Sequence, residues 1–222
     1  MSHPFETQLA QIRETLLMMS SLTDRNLSLA MRALVERDNR LADAVETEDS
    51  EVDKLEVAID EMVITYMATH GPVARDCRLM LGASKISTNL ERIADQATTI
   101  ARRARALNGE PPLTAFDNIP AMAKLAQQML HDAITAFVEG NADLAQAIIP
   151  RDKEVDAINR QVAKGLAELM MASPENVNRA LNLLTIAKAI ERAADHAQNI
   201  AEEVYFLYSA RDIRHGNGAA GG

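Results

Sequence analysis

The chain is predicted to be all-α: two tandem three-helix bundles, six long helices in all. Three observations carry that expectation. The first is an internal repeat. Glu91-Arg92-Ile93-Ala94-Asp95 runs on into Gln96-Ala97-Thr98-Thr99-Ile100-Ala101. One hundred positions later stands Glu191-Arg192-Ala193-Ala194-Asp195, then His196-Ala197-Gln198-Asn199-Ile200-Ala201. Upstream, Asp49-Ser50-Glu51-Val52-Asp53 returns after 103 positions as Asp152-Lys153-Glu154-Val155-Asp156. Two motifs repeated in the same order mean one structural unit used twice. The second observation is composition. Apolar residues make up 47% of the chain but aromatics only 3%, with no Trp, and Ala, Leu, Ile, Met and charged residues dominate, as in helical bundles. The third is periodicity: stretches of about 30 residues carry an apolar face at i, i+3, i+4, i+7 without internal caps.

Taken in order, the first helix is expected over 5–37, with a polar weak point at Ser20-Ser21-Leu22-Thr23-Asp24. Asp38 or Asn39 caps a second helix that reaches His70, where Gly71-Pro72 stops it. The third runs over 72–107. Asn108-Gly109-Glu110-Pro111-Pro112 is the strongest breaker in the chain and divides it into units at 1–108 and 113–211. Asp117-Asn118, with Pro120 close behind, opens the fourth helix, which ends near Glu139-Gly140. Asn141 caps the fifth. Ser173-Pro174-Glu175 restarts the sixth, which runs to about Arg211, and residues 212–222 form a Gly-rich tail expected to be disordered. The three residues by which the repeat spacing drifts are assigned to the loop before the last helix, shorter at Ser173-Pro174 than at Thr69-His70-Gly71-Pro72.

Composition also excludes function classes. The formal charge is −9, from 23 Lys and Arg against 32 Asp and Glu, which argues against a nucleic-acid binder. No apolar run approaches the roughly 20 residues of a membrane span, and the N-terminus lacks an apolar signal region. A cytoplasmic protein is expected, touching membranes only through partners. The single Cys77 reads as packing, as do most of the 11 Met, such as Met18, Met19, Met31 and Met170. No Gly-rich phosphate loop, catalytic triad or nucleotide fingerprint is visible.

The repeated acids point along the edge of the apolar face. At 100° per residue, Glu91 and Asp95 lie beside the stripe of Leu90, Ile93, Ala94, Ala97 and Ala101, with Thr88, Thr98 and Arg102 on the same line. Asp49, Asp53, Glu56 and Asp60 flank Val45, Val52, Ile59 and Val63; Asp152 and Asp156 flank Val155, Ile158 and Val162. Two adjacent helices could bring four carboxylates to one groove in each half: Asp49, Asp53, Glu91, Asp95 and Asp152, Asp156, Glu191, Asp195. Converging like charges call for cations. Arg92, Arg102 and Arg192 could supply them as a salt-bridge network. A bound metal is the alternative, with Mg²⁺, Mn²⁺, Fe, Zn²⁺ or Ca²⁺ among the candidates for such sites. His196, about 100° round from Asp195, is expected to be a surface or packing residue.

At these motifs the chain resembles the PhoU family of phosphate-specific transport accessory proteins. The resemblance extends from the first helix to about Leu207. It is carried by Glu-Arg-x-x-Asp-x-Ala-x-x-Ile at 91–100 and 191–200, and by Asp-x-x-x-Asp at 49–53 and 152–156. Asn199 matches the family's Asn-Ile ending and Thr99 departs from it, so the first site is expected to bind metal less well or differently. The resemblance implies two three-helix bundles about a pseudo-twofold, with metal held by the eight repeated acids. It also implies a negative regulator of the phosphate-starvation response. Its partners would be a sensor histidine kinase and the ATPase subunit of the phosphate ABC transporter. A homodimer is expected.

Two other readings stand beside this one. A carboxylate-bridged di-metal enzyme of the ferritin-like kind would use Glu-x-x-His. Here the third position after Glu91 is Ala94 and after Glu191 is Ala194, so the His ligand is missing. A purely structural bundle would keep its acids salt-bridged and bind nothing.

Overall fold

In the computed structural model, residues 4–71, 73–113 and 118–209 are described. They form α1 (Pro4–Val35), α2 (Asn39–His70), α3 (Ala74–Asn108), α4 (Asn118–Glu139), α5 (Ala142–Ile148), α6 (Asp152–Ala172) and α7 (Val177–Ser209), with no strand among the described residues. Side-chain chemistry sets the boundaries. The Asp38 carboxylate accepts from the Arg40 N–H at 2.8 Å and starts α2. Gly71 ends it at φ 53, in the left-handed region. The Asn141 side chain accepts from the Leu144 N–H at 3.0 Å and starts α5. The expected weak point in α1 does not break the helix. Ser20 and Thr23 bury their hydroxyls against carbonyl oxygens, Ser20 on Leu17 and Thr23 on Leu90 across the bundle.

The fifth helix, expected as one segment, is split into α5 and α6 by a 3₁₀ turn at Ile149–Arg151. Pro150 is the cause. It has no N–H to give, and its ring crowds the carbonyl one turn back. A second 3₁₀ turn, Pro174–Asn176, leads into α7. Helical structure therefore resumes at Ala74 in one half and Pro174 in the other, which places the three-residue drift in this loop. The third helix begins at Ala74 instead of Pro72. The expected tail at 212–222, the last turn to Arg211, and Asp117 lie outside the described residues.

α1, α2 and α3 pack on one another, and so do α4, α5–α6 and α7. The halves meet mainly along α3 and α7, and α1 also touches α4. Each seam pairs an element with its own repeat, which is what a pseudo-twofold requires. Leu90, Ile93, Ile100, Ile186, Ile190 and Ile200 are fully buried near this seam, so one core is continuous across both halves. Burying each such side chain contributes about 1.5–3 kcal/mol. Met19 and Met31 are core residues, whereas Met18 turns outward and Cys77 is partly exposed. Arg37, itself at φ 56, donates to the Leu107, Asn108 and Glu110 carbonyls and ties the inter-half linker to the end of α1. Among the described residues no helix is long and apolar enough to cross a membrane.

Candidate functional site

The stripe Val45, Val52, Ile59 and Val63 is buried, and so is Leu90, Ile93, Ala94, Ala97 and Ala101. Burying both stripes against each other turns the acidic edges of α2 and α3 toward one groove. Asp49 is half-buried there, and its carboxyl is pushed above the usual range by desolvation, then by the charges of Asp53 and Asp95; Thr98 and Arg102 oppose the rise. Glu91 is pushed up to about 7. Burial is again the main cause, followed by Asp95, with Glu56 and Asp53 adding and Arg92 opposing. Asp49, Asp53, Glu91 and Asp95 thus share one field. Arg92 is the near counter-charge, 3.3 Å from Glu91 Oε2 and 3.6 Å from Asp95 Oδ2. Arg102 sits 3.9 Å from Glu46, and Arg105 pairs with Glu46 and with Asp43.

α6 and α7 repeat the arrangement. Asp195 is pushed up to about 6 by burial, then by Glu191 and Asp152, with Lys188 opposing. Asp152 is raised by burial first, then by Asp156, Glu191 and Glu202. The Asp195 carboxyl opposes that rise as its hydrogen-bond partner: with the proton on Asp195, the O–H donates to Asp152. Glu191 is only 8% exposed and pairs with Lys188 at 2.5 Å. Arg192, expected to serve this cluster, makes no ion pair among the described residues; Lys188, three residues before Glu191, takes that place. The sequence reading also passed over Glu202. It stands one hundred positions after Arg102, so the repeat itself was the signal that could have found it.

A carboxylate oxygen of Asp152 is buried without a hydrogen-bond partner. Such an atom forfeits its solvation, which costs about 1–3 kcal/mol, and it is an open acceptor. Among the described residues no three His, Cys, Asp or Glu side chains form a finished ligand set. The carboxylates share a field without meeting at one point. The donor set is all oxygen, which suits hard cations such as Mg²⁺, Mn²⁺ or Ca²⁺, and Fe. In the first half the ligands would be Asp49, Asp53, Glu91 and Asp95; in the second, Asp152, Asp156, Glu191 and Asp195. His196 stays apart from both. It is half-buried at the α3–α7 seam with Nδ1 2.9 Å from Asn89 Oδ1, and its pKa is held below the ordinary value by burial, Arg92 and Arg192.

Comparison with known proteins places this geometry among relatives. The PhoU domain family matches residues 16–104 and again 119–204. A Pseudomonas aeruginosa protein named phosphate-specific transport system accessory protein PhoU homolog is 35% identical over 96% of this chain and 89% of its own length. The Escherichia coli protein of the PhoU name is 33% identical over 98% of this chain and 90% of its own. The crystal structure of PhoU from Pseudomonas aeruginosa superposes with a TM-score of 0.90 at 34% identity, covering 93% of this chain and all of that one.

Proposed function

Because the chain belongs to the PhoU family, we propose that it is an accessory protein of phosphate-specific transport that represses the phosphate-starvation response when phosphate is plentiful. The observation that carries this reading is the family match over both halves, with relatives named for the phosphate transport system. The family is one of accessory proteins, and this chain is not an enzyme. The finer proposal names the partners as the transporter's ATPase subunit and a sensor histidine kinase, met in the cytoplasm by a homodimer. An acidic chain of charge −9 favours basic patches on those partners, so association weakens as salt rises through the screening range.

Each carboxylate cluster is proposed to hold a cation, which would supply positive charge between α2 and α3, and between α6 and α7. This chain's own residues do the rest. Asp195, whose pKa is raised to about 6, would give up its proton to a bound cation in mildly acid solution. Glu191 gives up Lys188 or keeps it as a second counter-charge. A loaded cluster fixes the rotation of paired helices and so the shape of the docking face. Deleting the gene tests the regulatory reading. Phosphate-starvation genes should stay on in high phosphate, and normal repression in the deletion strain overturns it.

A further inference from the structure

The seam between α3 and α7 carries two clefts that the internal repeat makes twins. One, of about 410 Å³, is lined by Gln96 and Thr99 from α3 and by Thr185, Lys188 and Arg192 from α7, over apolar Leu181 and Leu184. The other, of about 270 Å³, is lined by Ser84, Lys85, Thr88 and Asn89 from α3 and by Asn199, Glu202 and Glu203 from α7. Arg192 of the first cleft repeats Arg92, and Thr99 repeats Asn199. The chemistry has diverged completely. The larger cleft has two cations and no acid in its lining. The smaller has two acids and one cation.

The donors differ as much as the charges. In the acidic cleft Ser84, Lys85 and Asn89 are engaged. Ser84 donates to Asp60 at 2.6 Å, Lys85 pairs with Glu203 at 3.0 Å, and Asn89 donates to the Lys85 carbonyl and meets His196. In the cationic cleft only Thr185 donates locally, to the Leu181 carbonyl. Arg192, Gln96 and Thr99 make no hydrogen bond among the described residues. Lys188 is ion-paired with Glu191 at 2.5 Å and keeps ammonium protons to offer. Lys188 and Arg192 stand one helical turn apart on α7, facing Gln96 and Thr99, also about one turn apart on α3.

We propose that this cleft binds a small dianionic oxyanion of the phosphate type, held by the Arg192 guanidinium and the Lys188 ammonium, with Gln96 and Thr99 donating from the opposite wall. Arg presents a planar fork matched to two oxygens of such an anion, and Lys a point charge. A few half-exposed, charge-assisted hydrogen bonds of this kind supply roughly millimolar affinity. The cleft touches the proposed metal cluster only through the Lys188–Glu191 pair and needs none of the proposed partners, so anion binding by metal-free protein tests it apart from them.

The experiment is phosphorus-NMR titration of the full chain, with inorganic phosphate in one arm and AMP in the other, at constant ionic strength. Phosphate should saturate at roughly millimolar concentration. Arg192→Gln should weaken it about fivefold or more, and Arg192→Lys by about twofold, because the charge stays while the fork is lost. Lys54→Gln, which removes a distant exposed cation, should change nothing. Equal binding of AMP assigns the cleft to a phosphoryl group on any carrier, and binding of phosphate alone assigns it to the free ion. Absence of saturation by either ligand overturns the proposal, and so does an equal loss in the Arg192→Gln and Lys54→Gln proteins.

Discussion

The two carboxylate clusters share a backbone plan and differ in what neutralises them. In the first, Arg92 stands beside Glu91 and Asp95, and Arg102 acts on Asp49 while Arg105 reinforces Glu46 and Asp43. In the second, Lys188 is the counter-charge on Glu191 and Arg160 on Asp156, while Glu202, occupying the position of Arg102, adds a further negative charge against Asp152. Duplication has preserved the fold and let the charge balance drift. The difference teaches that the second cluster has the greater unmet demand for a cation, consistent with the orphaned oxygen of Asp152.

The core should not tell the halves apart, and that is the largest effect expected. Leu90 and Ile190 are repeat positions and both are fully buried. Leu90→Ala and Ile190→Ala should each cost about 3 kcal/mol, from lost burial plus the cavity left behind. Denaturant unfolding checks this. A loss confined to one half would break the symmetry on which the comparison rests.

The clusters should differ clearly. Glu202→Arg writes the first half's cation into the second and should weaken divalent-cation binding there on the order of a hundredfold. That figure takes about tenfold for each of the two units of charge changed, an allowance for partly exposed, screened groups. Arg102→Glu should strengthen the first cluster. Calorimetric titration with Mn²⁺ reads both changes, and an unchanged affinity in Glu202→Arg would remove the basis for ranking the sites.

Acidity sharpens the same comparison. Asp195 is raised from 3.8 to about 6 and Glu91 from 4.5 to about 7. Both bind their protons more tightly folded than unfolded, so the native state carries extra protons and stability falls as pH rises. In metal-free protein the fall should span about pH 3.8 to 6 for Asp195 and 4.5 to 7 for Glu91. After discounting for solvent screening each should amount to about 1 kcal/mol. Glu91→Gln should flatten the upper part of the profile and Asp195→Asn the lower. Thermal unfolding across pH 4 to 8 would show it, and stability rising over this window would contradict both assignments. The smallest effect belongs to Arg92→Ala. Its side chain is 55% exposed, so the direct loss should stay below about 1 kcal/mol.

Much of this was legible in the sequence because short-range chemistry decides it. Asp38, Gly71 and Asn141 place helix ends through bonds to their own neighbours, and the repeat fixes which helices correspond. The split at Pro150 went unread because an uninterrupted apolar face masked a single residue lacking an N–H. The eight acids were legible as edges of apolar stripes, since burying the stripe fixes where the edge points. The partners of those acids were less so. Arg192 was expected at the second cluster, as its repeat Arg92 pairs with Glu91 and Asp95 in the first, but in the second half Lys188, at i−3 on the face of Glu191, is the cation that pairs with it. The charge swap from Arg102 to Glu202 was present in the repeat and depended on reading the two copies for differences as well as likenesses.

The central claim is that the second cluster is a cation site and not a salt-bridged face. Its most direct test is to replace Glu191 and Asp195 by Gln and Asn together, then measure metal content and thermal stability in the same preparations. The account predicts that the wild-type protein carries metal in this half, that the double variant loses it, and that the variant gains no stability from added Mn²⁺. A variant that is more stable than the wild type, with no metal lost, would mean that the carboxylates only repel one another, and would contradict the claim.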